Sequence, residues 1–538
     1  MTRTRPVAHP SDLASPPAES PARRRRLPVP DLIAAVACLA LVPVVHAVGP
    51  ILHESYTLDE AWAAMSTKAS LTQVRWVTAS SPLGWTLLLR LFPAGGQAQR
   101  LVPLLFLAGS VAAGYAFGRV LGWPGRSQAV LAGLLGGAVA LLLPAQQLRH
   151  DLKQYTADAA VTVALLALLS WAEARWSRRR AAVLLVAMGA GSLLSHLALA
   201  TGVAVLAGLA LVALARRAWR QVLDIAVLGA LTGAGFALVY LVIDKPGRTG
   251  RLYDYWAGFF PTVRALPGYL PRRLARLAPV LGVPWPLFLL LAVVGIVVVA
   301  RRGRPATAVA ALLLPLGMVA AGVARVYPLL DLRTSHFLFV TLAVLAAMAL
   351  AEVAGLAGRL AGSRWRTWTA AAVAFIAIGG YTTATSRWLR YPHVSYTWTN
   401  EIGPTPPPGP TADAHDQVRY LAAHRQPGDA IAVNMLDQYG FAYYWSADRP
   451  AFARGGVTAI HWYVRYPAGS GIVIASDRTA RATRTALARA LESSSGHRVW
   501  LVLSHATPAD TQAWQDAVAA LHLRAIGTGP DALVLLTP

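Results

Sequence analysis

Apolar runs of about 20 residues recur from Asp31 to about Arg387, and they constrain this chain more than any other feature. A run of that length crosses the hydrocarbon core of a bilayer as one helix. Inside that core each backbone N–H and C=O must be satisfied by the chain itself, so the runs read as helices. The charged fraction agrees: 14% of the 538 residues are charged, against about 25% in a soluble chain. A soluble enzyme, a disordered chain and a secreted disulfide scaffold are excluded. The single cysteine, Cys38, lies in the first run, so no intrachain disulfide or cysteine-based metal site can form.

Eleven spans are expected, near 31–52, 101–119, 127–145, 156–173, 181–195, 197–215, 222–243, 280–300, 306–324, 335–357 and 367–386. A tight hairpin at Ser195-His196 separates the fifth from the sixth. Residues 1–30 read as a disordered cytoplasmic tail, and the basic lead Arg23-Arg24-Arg25-Arg26 makes the first span a retained signal anchor.

The net charge of +24 invites a nucleic-acid reading until it is mapped. With the N-terminus inside, the tail and the short inner loops hold 21 basic residues and three acids; the opposite loops hold 15 and eight. This is the positive-inside pattern, so most of the excess is a topology signal. Eleven spans then put the C-terminus outside. The expected protein is multi-pass, in a bacterial plasma membrane, with no nucleic-acid partner.

Hydropathy drops after Arg387, and Thr405-Pro406-Pro407-Pro408-Gly409-Pro410 reads as a stiff linker. Helix-like 413–425, 479–492 and 508–521 then alternate with strand-like 430–433, 499–503 and 532–536, as in a small α/β domain. The organisation is a tail at 1–30, a membrane domain at 31–386, a linker at 387–411 and an extracytoplasmic α/β domain at 412–538.

Ionisable groups near membrane depth are costly and usually face a cavity. The informative ones gather on the outer side. The first outer loop carries Asp59-Glu60. Adjacent carboxylates point different ways, so one can face a reactant while the other braces it. Such a pair can take a proton from a hydroxyl or hold a divalent cation such as magnesium or manganese. Thr57 with Glu60 also makes a helix capping box. In the second loop, Arg149 and Lys153 are four apart and, if helical, share one face, which suits a phosphate, and Asp158 opens an otherwise apolar run. In a third cluster, Arg325 and Arg333 on a short turn can clamp an anionic head group. His196 sits at a helix end. Loop 244–276 combines seven basic residues with the aromatics Tyr253, Tyr255, Trp256, Phe259 and Phe260, as an interfacial segment touching lipid phosphates does.

These motifs together resemble the polytopic GT-C glycosyltransferases, in the family 39-like, protein-mannosyltransferase and aminoarabinose-transferase group. Leu58-Asp59-Glu60 looks like that family's acidic pair. Ser80-Ser81-Pro82-Leu83-Gly84-Trp85 and Arg100-Leu101-Val102-Pro103 are similar to its "PPL" helix and its "RL" start of span two, with Ser81 where a proline is common. Leu152-Lys153-Gln154-Tyr155-Thr156-Ala157-Asp158 looks like a "KQYSSD" segment, while Ser195-His196 and Tyr327-Pro328 through Arg333 fall where relatives carry an "SH" and a late arginine turn.

The resemblance covers residues 31–386. It implies an inverting transfer of a sugar from a polyprenyl-phosphate donor to an extracytoplasmic cell-wall glycan, lipid or protein. Asp59 would be the base or metal-coordinating acid and Glu60 its support. Lys153 and Arg333 would hold the donor phosphate, with Tyr155 and Asp158 lining the pocket. Two other readings are a glycolipid flippase and a non-catalytic relative that binds a cell-envelope component. Inverted repeats with midplane charges would mark a flippase, and neither is evident.

Overall fold

A computed structural model describes residues 29–46, 48–53, 55–77, 80–92, 97–144, 152–245, 256–390, 414–455, 461–495, 497–504, 506–530 and 532–538. The arginine run of the tail and the proline-rich linker lie outside these residues.

Each of the eleven expected segments holds helix among the described residues. The first is divided into α1 (Val29–Ala40), α2 (Val42–Val45) and α3 (Val48–His53). Two short helices follow on the loop beyond it, α4 (Leu58–Ser66) and α5 (Leu83–Leu89). Next come α6 (Leu101–Val120), α7 (Arg126–Leu142), α8 (Tyr155–Ala174), α9 (Arg178–Leu194), α10 (Ala198–Ala215) and α11 (Trp219–Val239). Ser195 caps α9, and α10 starts at Ala198, so the expected hairpin is present. The last helices of the bundle are α12 (Leu266–Leu281), α13 (Trp285–Arg301), α14 (Pro305–Val323), α15 (His336–Leu360) and α16 (Gly362–Arg390).

Among the described residues six helices are long and apolar enough to cross a bilayer unaided. A seventh candidate span is the pair α12 and α13, bent by 85°. The chain is a multi-pass membrane protein. The bend has a local cause. Gly282 ends α12 in the left-handed region (φ 74°), and a Cβ there would meet Thr385 and Tyr381 of α16. Pro284 then starts α13 in a new direction.

Helix α15 is the axis of the bundle. It is buried over most of its length and packs against α7, α8, α13 and α16. Without a hydrophobic drive between helices in lipid, close backbone approach matters more. Gly114 and Gly118 of α6 face Ala132 and Gly136 of α7. A Cβ on Gly114 would lie 2.5 Å from the Gly136 carbonyl oxygen, and one on Gly136 would lie 2.4 Å from that of Gly114.

The helix ends on the basic side are tied by ion pairs. Asp31 takes both Arg119 (2.5 and 2.8 Å) and the Tyr115 hydroxyl (3.1 Å). Glu173 accepts from Ala306 and Thr307 N–H at the start of α14 (2.7 and 3.0 Å). Glu352 pairs with Arg302 and Arg359.

Beyond the linker, α17 (Ala414–His424) leads into β1 (Ala430–Val433), α18 (Gln438–Tyr444), β2 (Ala451–Arg454), β3 (Trp462–Arg465) and β4 (Ile472–Ile474). Then come α19 (Ala480–Ser493), β5 (Val499–Val502), α20 (Pro508–Ala520), β6 (Arg524–Thr528) and β7 (Val534–Thr537). One sheet has the order β4-β1-β5-β7-β6. Strands β4, β1 and β5 are parallel, with Ile431 between Ile472 and Trp500, and β7 runs antiparallel to β5 and β6. A separate β2–β3 hairpin is antiparallel. The fully buried β1 and β5 are continuous apolar runs, as central parallel strands must be.

Gly136→Leu should destabilise the protein by about 1–3 kcal/mol through overpacking at the α6–α7 crossing. Gly379→Leu, at a site with nothing within 4 Å of a new Cβ, is the control. Equal melting temperatures in detergent would remove the close approach as a source of stability.

Candidate active site

The acidic helix α4 is fixed before anything else in the site. Thr57 caps it, and Glu60 closes the capping box by accepting from the Thr57 N–H at 2.9 Å. Glu60 also takes a two-pronged ion pair from Arg100, at 2.8 Å to each oxygen, with both side chains 1% exposed. Arg100 further donates to the Ser55 carbonyl at 2.8 Å and lies 5.0 Å from the Tyr56 ring centre. Glu60 therefore faces Arg100 and serves as the brace of the acidic pair.

One residue earlier, Asp59 points the other way. Its Oδ2 accepts from Arg333 Nη1 at 2.6 Å, and its side chain is 39% exposed. Loss of water around Asp59 works to raise its pKa, but Arg333 and Lys153 outweigh it and hold the carboxyl below its ordinary value. Asp59, Lys153 and Arg333, from three distant stretches of sequence, thus converge.

Aromatic rings position the two cations. Lys153 Nζ sits 3.8 Å from the Trp62 ring centre, one turn along α4 from Asp59. Arg333 lies 5.9 Å from the Trp256 ring centre. Its backbone is held by Asp331, whose carboxylate accepts from the Arg333 and Thr334 N–H groups at 3.2 and 3.0 Å. The Lys153 segment is held by α5: Trp85 Nε1 donates to the Leu152 carbonyl at 2.7 Å. Helix α5 nests on the end of α9, where a Cβ on Gly84 would come within 2.5 Å of the Leu193 oxygen.

The other expected residues are placed less centrally. Tyr155 and Asp158 are buried at the start of α8. Asp158 accepts from the Ser195 hydroxyl at 2.5 Å, with half-buried His196 in electrostatic reach. Arg325 is exposed, in a left-handed turn (φ 57°) after α14, so of the two arginines expected to form a clamp, Arg333 is the one that reaches Asp59. Arg149 lies outside the described residues. Among the described residues no group of three or more His, Cys, Asp or Glu is placed to hold a metal. Both oxygens of Glu60 are engaged by Arg100, so the acidic pair does not form a cation cage.

Arg100, Ser195, Trp62 and Trp256 also build the site, and the sequence does not mark them for it. A buried carboxylate demands a cation, and Arg100 at the mouth of an apolar run was the available one. Ser195 adjoins His196, but a serine beside a helix end gives no signal of its partner.

The C-terminal region joins the site through α18, which packs on α4. The Tyr56 N–H donates to the Tyr444 hydroxyl at 3.0 Å, and Lys68 Nζ to the Tyr443 carbonyl at 2.6 Å. Burial pushes the Tyr444 phenol up to about 12 and pulls the Lys68 ammonium down from its ordinary value. Trp62, Trp85, Tyr439 and Trp462 belong to one core that crosses the junction.

No protein-family model matches the chain, and no curated protein does. Solved structures do. The apo oligosaccharyltransferase of Archaeoglobus fulgidus aligns with 87% of this chain and 69% of its own, at 12% identity and a TM-score of 0.51. The same organism's AglB, in complex with an inhibitory peptide and a dolichol-phosphate, aligns over 91% and 72% at 13% identity and TM-score 0.50. The chain has the fold of the GT-C glycosyltransferases. ArnT from Cupriavidus metallidurans bound to undecaprenyl phosphate aligns over 94% and 97% at 17% identity and TM-score 0.49. The chain spans 61% of the Archaeoglobus enzyme in its zinc and sulfate complex, at TM-score 0.48.

Glu60→Gln would leave Arg100 buried beside a neutral partner. A loss of about 3–5 kcal/mol is expected, read as a lower melting temperature. Asp59→Asn, at a carboxylate 39% exposed, should change stability by less than about 1 kcal/mol. If Asp59→Asn melts as early as Glu60→Gln, the division of labour between the two acids is wrong.

Proposed function

We propose that this protein transfers a sugar from a polyprenyl-phosphate donor to a hydroxyl-bearing acceptor on the outer side of a bacterial plasma membrane, with inversion. The observation that carries the reading is the convergence of Asp59, Lys153 and Arg333 at one end of the helical bundle. One carboxylate beside two cations suits a reaction in which a hydroxyl loses a proton while a phosphate leaves. The fold, and the dolichol-phosphate bound in the Archaeoglobus structure, support the donor class.

In this reading Lys153 and Arg333 hold the donor phosphate. Asp59 accepts the proton of the acceptor hydroxyl, whose oxygen forms a bond to the anomeric carbon. The bond from that carbon to the phosphate oxygen breaks, and its electron pair leaves on the phosphate, where the two cations stabilise it. Arg333 has two suitors, Asp59 and the phosphate. A bound phosphate that draws Arg333 from Asp59 makes the carboxylate a stronger base only when donor is in place. Glu60 acts through α4 as a positioning residue. Tyr155, Asp158 and His196 shape the inner wall.

Eleven spans with the N-terminus in the cytoplasm put the basic loops inside and residues 412–538 outside, beside Asp59. The tail is 1–30, the membrane domain 31–386 and the linker 387–411.

Transfer from radiolabelled polyprenyl-phosphate sugars to an envelope extract should fall about 10²–10⁴-fold in Asp59→Asn, the scale of a lost general base. Lys153→Ala should lose turnover as well, and full activity in Asp59→Asn would sink the mechanism. A pH profile tests the ion pair. Arg333 helps hold the Asp59 pKa down, so the base is lost only at low pH; in Arg333→Gln that pKa rises and the acid limb of kcat/KM should move to higher pH. An unmoved limb would mean that the limb does not report Asp59.

A further inference from the structure

Helix α12 is the first arm of the bent pair. It lies at 85° to α13 and meets it at the end of the bundle that carries the site. Its two faces differ sharply. Leu277, Val280 and Leu281 are buried and Leu266, Tyr269, Leu270, Arg273 and Leu274 half-buried, a repeat of three and four residues that packs one stripe against the bundle. The opposite stripe exposes Arg272 and Arg276, four residues apart, and Arg264 is exposed one turn before the helix. Residues 256–281 contain four arginines and no acid.

The inward face holds the turn that presents Arg333. Tyr269 donates its hydroxyl to the Leu329 carbonyl at 2.6 Å, and Arg273 Nη2 donates to the Leu330 carbonyl at 3.1 Å. The Leu329 N–H donates to the Phe259 carbonyl at 3.0 Å, and Arg273 lies 4.5 Å from the Phe259 ring centre. Leu330 itself sits in the left-handed region (φ 56°), which a leucine adopts only when its surroundings hold it there. The helix and the turn are one hydrogen-bonded unit.

We propose that Arg264, Arg272 and Arg276 form a docking surface for anionic phospholipid head groups in the leaflet on the Asp59 side, and that lipid binding there steadies the Arg333 turn. Charge complementarity chooses the occupant. A helix in the membrane plane, apolar toward the bundle and cationic toward its edge, meets lipid phosphates at the depth where head groups lie. The neighbouring Arg273 is not part of this surface, because it is spent on the turn. The effect on turnover rests on the proposed glycosyltransferase reaction; the lipid binding does not.

The test uses the full chain in nanodiscs of phosphatidylcholine alone or mixed with phosphatidylglycerol. Retained phosphatidylglycerol, read by native mass spectrometry, should weaken about fivefold for each arginine changed in an Arg264→Gln, Arg272→Gln, Arg276→Gln series. The matching lysine series should retain it, which separates lost charge from lost fold. Phosphatidylglycerol should raise wild-type kcat severalfold and leave the triple glutamine variant unmoved, with equal activity for both proteins in phosphatidylcholine. Undiminished phosphatidylglycerol retention by the triple variant would overturn the proposal. So would a higher KM for donor in both membranes, which would assign the arginines to the donor phosphate. The lipid measurement needs no turnover, so its failure is distinct from failure of the glycosyltransferase reading.

Discussion

The site depends on one buried ion pair. Arg100 and Glu60 are both withdrawn from water, and each is tolerable there because the other is present. The pair joins the start of α6 to the first turn of α4, and the capping box uses the same carboxylate to set where α4 begins. Once Glu60 is fixed inward, the neighbouring position on a helix is rotated by about 100° and must face elsewhere. That rotation aims Asp59 at Arg333. A charge too costly to leave alone in an apolar setting becomes the reference point for its more exposed neighbour.

The cations are placed by the same economy of contacts. Lys153 and Arg333 are each set against an indole ring, which attracts a cation without neutralising it. Each is also carried on backbone that another element holds: Trp85 fixes the Leu152 carbonyl, and α12 fixes the turn at Leu329 and Leu330. The C-terminal region completes this frame from the far side. Its aromatic helix α18 shares a core with α4, so the polar site rests on an apolar floor built from both parts of the chain.

Much of this was legible in the sequence because the underlying signals are local. Apolar runs gave the helices, and the Thr57–Glu60 spacing gave the cap. That the two carboxylates of the acidic pair face different ways was readable from helical geometry alone. In the C-terminal region the long amphipathic helices and the buried strands at 430–433 and 499–502 were readable. Strand β4 has three residues and β6 is largely exposed, so neither carries the alternation that marks a strand. Helix α18 is buried nearly all round and shows no amphipathic stripe. The 85° break falls inside the run expected as one span near 280–300, because a left-handed glycine is conspicuous only once its neighbours are known.

The sequence by itself determined that this chain is a bundle of membrane helices with an acidic helix cap on one loop and cationic residues on two others. Those properties follow from hydropathy, periodicity and charge over short windows. Only the tertiary structure decided which cation meets which acid. Arg100 lies 40 residues from Glu60 and Arg333 lies 274 from Asp59, and no local pattern encodes a pairing across such distances. It is set by how the helices pack, and the sequence leaves that to the close approaches between their backbones.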